Sequence, residues 1–164
     1  MSNQIRAVVI TSSDACSVGE REDLSGEALV QLLTELGADI VAKEIVNDDL
    51  EPLAHKLRAY ADLKHVNLIV TTGGTGFGPR DNTPEATRSI IEREAPGLAE
   101  AMRIQTLKDT PMAMISRGVC GIRSGALIVN LPGSPKAVRE SFEIIRPVLN
   151  HAISLLAGES HDQA

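Results

Sequence analysis

Gly73-Gly74-Thr75-Gly76-Phe77-Gly78, followed at once by Pro79-Arg80-Asp81, is the stretch of this chain best suited to chemistry. Four glycines in six positions let a backbone turn sharply and bring several N–H donors close to a ligand, with no Cβ atoms in the way. Such a cradle favours an anion, above all a phosphate. Arg80 can offer phosphate a forked donor. Asp81 would repel phosphate directly, so its useful roles are coordination of Mg²⁺ or orientation of a donor. The segment is not a Walker A loop, because Pro79 stands where the lysine should be. Nor is it a dinucleotide fingerprint, whose third glycine would fall at Pro79. A glycine cluster alone reads first as a tight structural turn, and Arg80 and Asp81 as surface pairing worth under about 1 kcal/mol. The paired cation and carboxylate at the mouth of a helix tilt the reading toward a site.

Two other loops carry similar chemistry. Asn130-Leu131-Pro132-Gly133-Ser134-Pro135-Lys136 leads from a strand into a helix, whose free N–H groups suit a second anion. Lys136 in the first helical turn opposes the macrodipole, which makes it less useful to the helix than to a ligand. In the first loop Ser13, Asp14, Asp23 and Ser25 could line the same cleft, although Asp23 and Ser25 serve equally well as helix caps. Asp48-Asp49 is either a metal-binding pair or two acids complementing a helix dipole. The four histidines are not adjacent in sequence to a candidate serine or cysteine, so a hydrolytic triad is disfavoured.

Positioning these loops requires strands that end beside helix starts. Ala7–Ser12, Ile40–Val46 and Val66–Thr72 read as strands. The centre of the third, Leu68-Ile69-Val70, is apolar on both faces, as a buried parallel strand is. Ser25 as a cap, with Leu24 and Leu29 as a hydrophobic staple, predicts a helix carrying Ala28, Leu29, Leu32, Leu33 and Leu36 inward, stopped by Gly37. Leu50, Leu53, Ala54, Leu57 and Ala61 share one face of a second helix. Thr83 as N-cap with Pro84 opens a third, 97–107 forms a fourth, and Ser134-Pro135 begins a long last one that Pro147 should kink or split. Val119–Ile122 and Ala126–Asn130 around Arg123-Ser124-Gly125 predict a hairpin. The alternation implies an α/β fold with a mostly parallel sheet covered on both faces and one antiparallel hairpin strand. It forms one domain over residues 1–164, with its core at about 5–157 and a loose tail at His161–Ala164.

Composition narrows the classes. A net charge of −6 and 2% aromatic residues argue against nucleic acid as a partner. No apolar run is long enough to span a membrane. Met1-Ser2-Asn3-Gln4 lacks the parts of a secretory signal, and the two widely separated cysteines, Cys16 and Cys120, suit a reducing, cytoplasmic setting.

Several motifs together resemble the molybdopterin-binding fold family. They are Asp23-x-Ser25-Gly26, Thr72-Gly73-Gly74-Thr75-Gly76, Arg80-Asp81-x-Thr83-Pro84-Glu85-Ala86-Thr87, Ser116-Arg117-Gly118 and Leu131-Pro132-Gly133-Ser134-Pro135-Lys136-Ala137. The likeness runs from about Ile5 to Ala157 and is greatest to the molybdopterin adenylyltransferases, including gephyrin and plant G domains. It implies a three-layer α/β/α sandwich, a homotrimer, and a reaction in which the terminal phosphate of molybdopterin attacks the α-phosphate of ATP with Mg²⁺ present, followed by hand-off to a molybdate-inserting protein. It further implies Asp81 and Asp48 as catalytic and Mg²⁺-binding acids. Gly73, Gly74, Thr75 and Gly76 would hold phosphates, while Ser13, Asp14, Arg80, Pro132, Gly133, Ser134 and Lys136 form the remaining walls. Ala15 departs from the pattern, since many relatives carry Arg after the Ser-Asp of the first loop. The alternatives are a pterin-binding or scaffolding paralogue with little catalysis, and a hydrolase of another nucleotide.

Overall fold

A computed structural model describes residues 3–159; the tail expected at His161–Ala164 lies outside the described residues. Six strands form one sheet: β1 (Arg6–Ser12), β2 (Asp39–Val46), β3 (Leu68–Thr72), β4 (Arg93–Glu94), β5 (Cys120–Arg123) and β6 (Ala126–Leu131), in the order β2-β1-β3-β6-β5-β4. The first four in that order are parallel, and β5 runs antiparallel to both β6 and β4. The helices are α1 (Asp14–Ser17), α2 (Leu24–Glu35), α3 (Leu50–Ala61), α4 (Thr83–Ile90), α5 (Pro96–Thr106) and α6 (Pro135–Leu156), with a 3₁₀ helix at Pro111–Ile115.

Because side chains alternate across a strand, a strand covered on both faces must be apolar throughout. In β1, Ala7 and Val9 join one core with Leu29 and Leu33 of α2 and Phe142 and Ile145 of α6. Val8 and Ile10 join the other, with Leu53 and Leu57 of α3 and Ile90 of α4. The result is the expected three-layer α/β/α sandwich.

Strand register decides where the loops emerge. Thr11 pairs with Thr72 and Thr72 with Leu131, while Ser12 pairs with Val46. Four parallel strands therefore end at one level, and their outgoing loops begin side by side. The chain leaves β1 for β2 on one side and later returns to β3 on the other. Loops after β1 and β3 thus diverge at the point where strand order reverses, where α/β sheets hold their ligands.

Three local expectations change. Asp23, not Ser25, caps α2 by accepting from Gly26 N at 3.0 Å, and Leu24 is then the first helical residue, 57% exposed and unable to staple Leu29. Asn82, not Thr83, precedes α4, because the Thr83 hydroxyl is used instead to donate to Gly73 O at 2.8 Å. Pro147 does not split α6, which continues through it, with Ile145 and Leu149 buried on either side. The hairpin turns on Ser124 and Gly125 alone, both at positive φ (49° and 80°), as a two-residue type I′ turn requires. β4, α1 and the 3₁₀ helix are too short to give a periodic pattern.

Asn130, 2% exposed, ties β6 to its surroundings. Its Nδ2 donates to Thr71 Oγ1 and Thr87 Oγ1, each at 3.0 Å, and its Oδ1 accepts from Val119 N at 3.1 Å. Asn130→Ala strands buried polar groups and opens a small void, so it should lower stability by about 3 kcal/mol. A urea titration with unchanged slope would display this as a lower midpoint. Asn130→Asp keeps the acceptor but replaces two donors with a buried charge, and should do no better.

Candidate functional site

The glycine loop after β3 is clamped by its neighbours. Gly73 N donates to Leu131 O at 3.2 Å, and Thr72 Oγ1 donates to Pro132 O at 2.7 Å. A Cβ on Gly73 would stand 2.4 Å from Ser12 O, and one on Gly133 would stand 3.3 Å from Gly73 Cα. Gly74 follows at φ 68°, where a Cβ would fall 2.3 Å from Thr83 Oγ1. No other residue type fits this crossing without displacing a backbone.

The carbonyl groups of the loop are satisfied. Thr83 N donates to Gly74 O, Arg117 N donates to Thr75 O at 2.8 Å, and Arg117 Nε donates to Gly76 O at 2.7 Å. Arg117 also donates through Nη2 to Asp81 O at 2.8 Å and pairs with Glu85, whose carboxyl it holds below the usual range. The amide side is different. Gly78 N donates to Asp81 Oδ2 at 2.8 Å, but the amides of Gly74, Thr75 and Gly76 meet no acceptor among the described residues. Arg117 thus braces the loop by its carbonyls and leaves three consecutive donors open.

A cluster of acids lies beside it. Asp48, two residues beyond β2, accepts from Ser12 Oγ at 2.8 Å and from Asp14 N at 2.9 Å, while Asp48 N donates to Asp14 Oδ1 at 2.9 Å. Asn82 Nδ2 donates to Asp48 O at 2.8 Å, joining this turn to the start of α4. Arg80 directs its fork at Asp14, with contacts of 3.0 and 2.8 Å, and reaches Asp49 Oδ1 at 2.7 Å. That guanidinium, with the Asp48 backbone bond, holds the Asp14 carboxyl down to about 2. Asp49 is therefore Arg80's partner rather than the second half of a metal pair with Asp48.

Two hollows meet at this edge. The larger, about 640 Å³, is lined by Ser13, Asp48, Gly73, Gly74, Asp81, Gly133 and Ser134 among others. The smaller, about 310 Å³, adjoins Thr75, Gly76, Ser116 and Pro132. Gly74, Asp81 and Gly133 border both. Asp14 and Arg80 line neither; Asp14 holds Asp48 through the two backbone hydrogen bonds above, and Arg80 in turn holds Asp14. Lys136 lines neither as well; its side chain is 86% exposed, with Glu140 at 3.8 Å. Among the described residues no three His, Cys, Asp or Glu converge as a ready metal cage. Two carboxylates in one cleft, Asp48 and Asp81, are a donor set that suits Mg²⁺ completed by substrate phosphates. Arg117, Asn82, Ser12 and Arg21 were not legible as site residues. Arg117 stood in a quoted motif, but its partners, from Thr75 to Glu85, are 32–42 positions away in sequence.

Residues 8–151 match the family described as "Probable molybdopterin binding domain". The chain is 44% identical over 152 residues to the molybdenum cofactor synthesis protein cinnamon of Drosophila melanogaster, aligning 92% of itself with 25% of that longer protein. It is 41% identical to the molybdopterin adenylyltransferase of Helicobacter pylori strain J99, over 92% of this chain and 86% of that one. The crystal structure of the molybdopterin biosynthesis enzyme MoaB from Thermus thermophilus superposes with a TM-score of 0.89 at 48% identity, covering 94% of this chain and 98% of that chain.

The Asp14–Arg80 link has a measurable signature. Since the folded Asp14 pKa is depressed, the stabilisation it gives is complete above the ordinary value of 3.8 and fades as pH falls toward 2. Carboxyl-carbon NMR should give an Asp14 midpoint near 2, and Arg80→Gln should return it toward 3.8. A midpoint unmoved by that substitution would rule out the guanidinium as the cause.

Proposed function

The chain belongs to the molybdopterin-binding domain family, and from that membership we propose that it catalyses adenylylation of molybdopterin in molybdenum cofactor biosynthesis, with ATP as co-substrate and Mg²⁺ as metal. The observation that carries this reading is the run of amides at Gly74, Thr75 and Gly76 without an acceptor among the described residues, beginning where two hollows share Gly74 and Asp81. A transfer joining two phosphorylated substrates needs their phosphates to abut, and two hollows meeting at one cradle allow it. In this reading the nucleotide occupies the larger hollow and the pterin approaches along Thr75, Gly76 and Ser116.

Chemically, an oxygen of the molybdopterin phosphate bonds to the α-phosphorus of ATP as the bond from that phosphorus to the bridging oxygen breaks, and pyrophosphate leaves with the electron pair. No protein nucleophile is needed, so the residues contribute position and charge neutralisation. The amides of Gly74, Thr75 and Gly76 donate to phosphate oxygens, and Gly133 and Ser134 border the same oxygens from the next loop. Mg²⁺, held through Asp48 and Asp81, would neutralise charge on the phosphates. Gly78 N fixes Asp81 through Oδ2, and Ser12 with the Asp14 amide fixes Asp48, so both acids are oriented before substrate arrives.

We extend the proposal to a homotrimer working in the cytoplasm and passing product to a molybdate-inserting protein. Exposed Ile104 and Leu107 at the end of α5, with Met112, Met114 and Ile115 of the 3₁₀ helix packed beside it, support a subunit contact. No helix among the described residues is long and apolar enough to cross a membrane. Sedimentation at three times the 17.5 kDa chain mass is the expected result for a trimer.

Purified chain should release pyrophosphate from ATP only when molybdopterin and Mg²⁺ are both supplied, and mass analysis should find adenylyl-molybdopterin. Asp81→Asn should lower kcat by roughly a hundredfold or more, which is about 3 kcal/mol of barrier, while thermal midpoint stays near wild type. Pyrophosphate release at the wild-type rate in Asp81→Asn would sink the role assigned to this carboxylate.

A further inference from the structure

The cleft is acidic for a site that must hold phosphates: Glu22, Asp48 and Asp81 line it. Most nearby cations are already neutralised. Arg80 pairs with Asp14 and Asp49, Arg117 with Glu85, and Lys43 with Asp23 and Glu27. Lys136, at the start of α6, does not line the cleft. Arg21 is different. It lines the larger hollow from the loop between α1 and α2, and among the described residues it has no carboxylate within ion-pair distance. Its Nη2 donates to Ser13 Oγ at 3.2 Å.

That contact also determines what Ser13 can do. A hydroxyl has two acceptor positions and one proton to donate. Ser13 Oγ accepts from Cys16 N at 3.2 Å, as the cap of α1, and from Arg21. Both acceptor positions are filled, so what remains is the O–H, on a residue 7% exposed that lines the same cleft. An arginine fork and a serine proton on one wall form a mixed-donor clamp for a phosphate oxygen, in a cleft that Gly73, Gly74 and the hydroxyl of Ser134 also line.

We propose that Arg21, steadied by Ser13, is the phosphate-holding cation of the larger hollow. This rests on the adenylyl-transfer reading for its substrates but not for its test. The anion is a phosphate group, whether of the nucleotide or of the pterin. Arg21 supplies the positive side-chain charge that the paired arginines cannot release without breaking their own carboxylate bonds.

Calorimetric titration of the full chain with magnesium pyrophosphate tests this directly, without turnover. Wild type should bind; Arg21→Ala should bind about tenfold more weakly and with a shallower salt dependence; Arg21→Lys should recover part of the loss. Ser13→Ala should weaken binding by a smaller factor. Both Arg21 variants should keep the wild-type unfolding midpoint, because Arg21 is exposed and forms no ion pair among the described residues. If wild type fails to bind, or Arg21→Ala binds equally well, the inference is overturned. In the transfer assay a rise in KM for ATP with kcat preserved assigns the clamp to the nucleotide, and a rise in KM for molybdopterin assigns it to the pterin phosphate. Neither KM moving would also overturn it. A wild type that binds pyrophosphate through Arg21 yet forms no adenylyl-molybdopterin would remove the proposed reaction and leave the cation's role intact.

Discussion

Three backbones cross at Gly73 with nothing between them. Ser12 O lies on one side, Gly133 on the other, and the space that a Cβ would need on Gly73 is already filled at 2.4 Å. This contact is possible because β1, β3 and β6 end at a common level, fixed by the pairing of Thr11 with Thr72 and of Thr72 with Leu131. A slip of one residue would turn Thr71 and Thr72 to the opposite faces of the sheet and separate the loops. The site thus begins as a consequence of register, with side chains added around it.

Holding a glycine-rich loop open is a second constraint. Glycine loses more conformational freedom on ordering than any other residue, and this loop has few side chains of bulk to pack. Its order comes from hydrogen bonds to its carbonyls, chiefly from Thr83 and Arg117. Acceptors bound to the amides would instead have competed with a ligand. Bracing by carbonyl leaves the amides of Gly74, Thr75 and Gly76 without an acceptor among the described residues, which is what the proposed phosphate cradle requires of a loop supported by a cationic side chain. Glu85 offsets the charge of Arg117, and the guanidinium is a scaffold rather than an attractor. Arg80 follows the same logic at the neighbouring turn, where Asp14 and Asp49 neutralise it.

The sequence carried those features that depend on local pattern. Leu68-Ile69-Val70 revealed a strand buried on both faces, and Thr83-Pro84 revealed a helix start. The glycine cluster pointed to free main-chain donors, and the amides of Gly74, Thr75 and Gly76 meet no acceptor among the described residues. Features set by distant partners were not legible. Thr83 looked like a cap, but Gly73 O, ten positions back, takes its hydroxyl. Arg80 looked like a phosphate donor until the fold brought Asp14, 66 positions away, to its fork. Arg21 had no local pattern to distinguish it, because its value depends on which other cations are already paired. Lys136, singled out by its unfavourable dipole position, lies 86% exposed outside the lining of the cleft.

Charge balance connects these elements to the kind of chemistry the edge can support. Paired ions around the site give little net field, so the cleft carries the carboxylates of Asp48, Asp81 and Glu22 against Arg21 alone among its described lining residues. That charge balance disfavours a bare polyphosphate, and the Mg²⁺ of the proposed reaction would offset it, since carboxylate and phosphate oxygens both suit that cation. Neutral backbone donors then add directionality without adding charge, and they can bind the phosphate in the ground state or with charge redistributed between its oxygens. In the proposed reaction the attacking oxygen belongs to a substrate, so a serine or cysteine nucleophile would gain nothing. In the proposed transfer, the protein holds two anions in contact and the reactants supply the bond-making atoms.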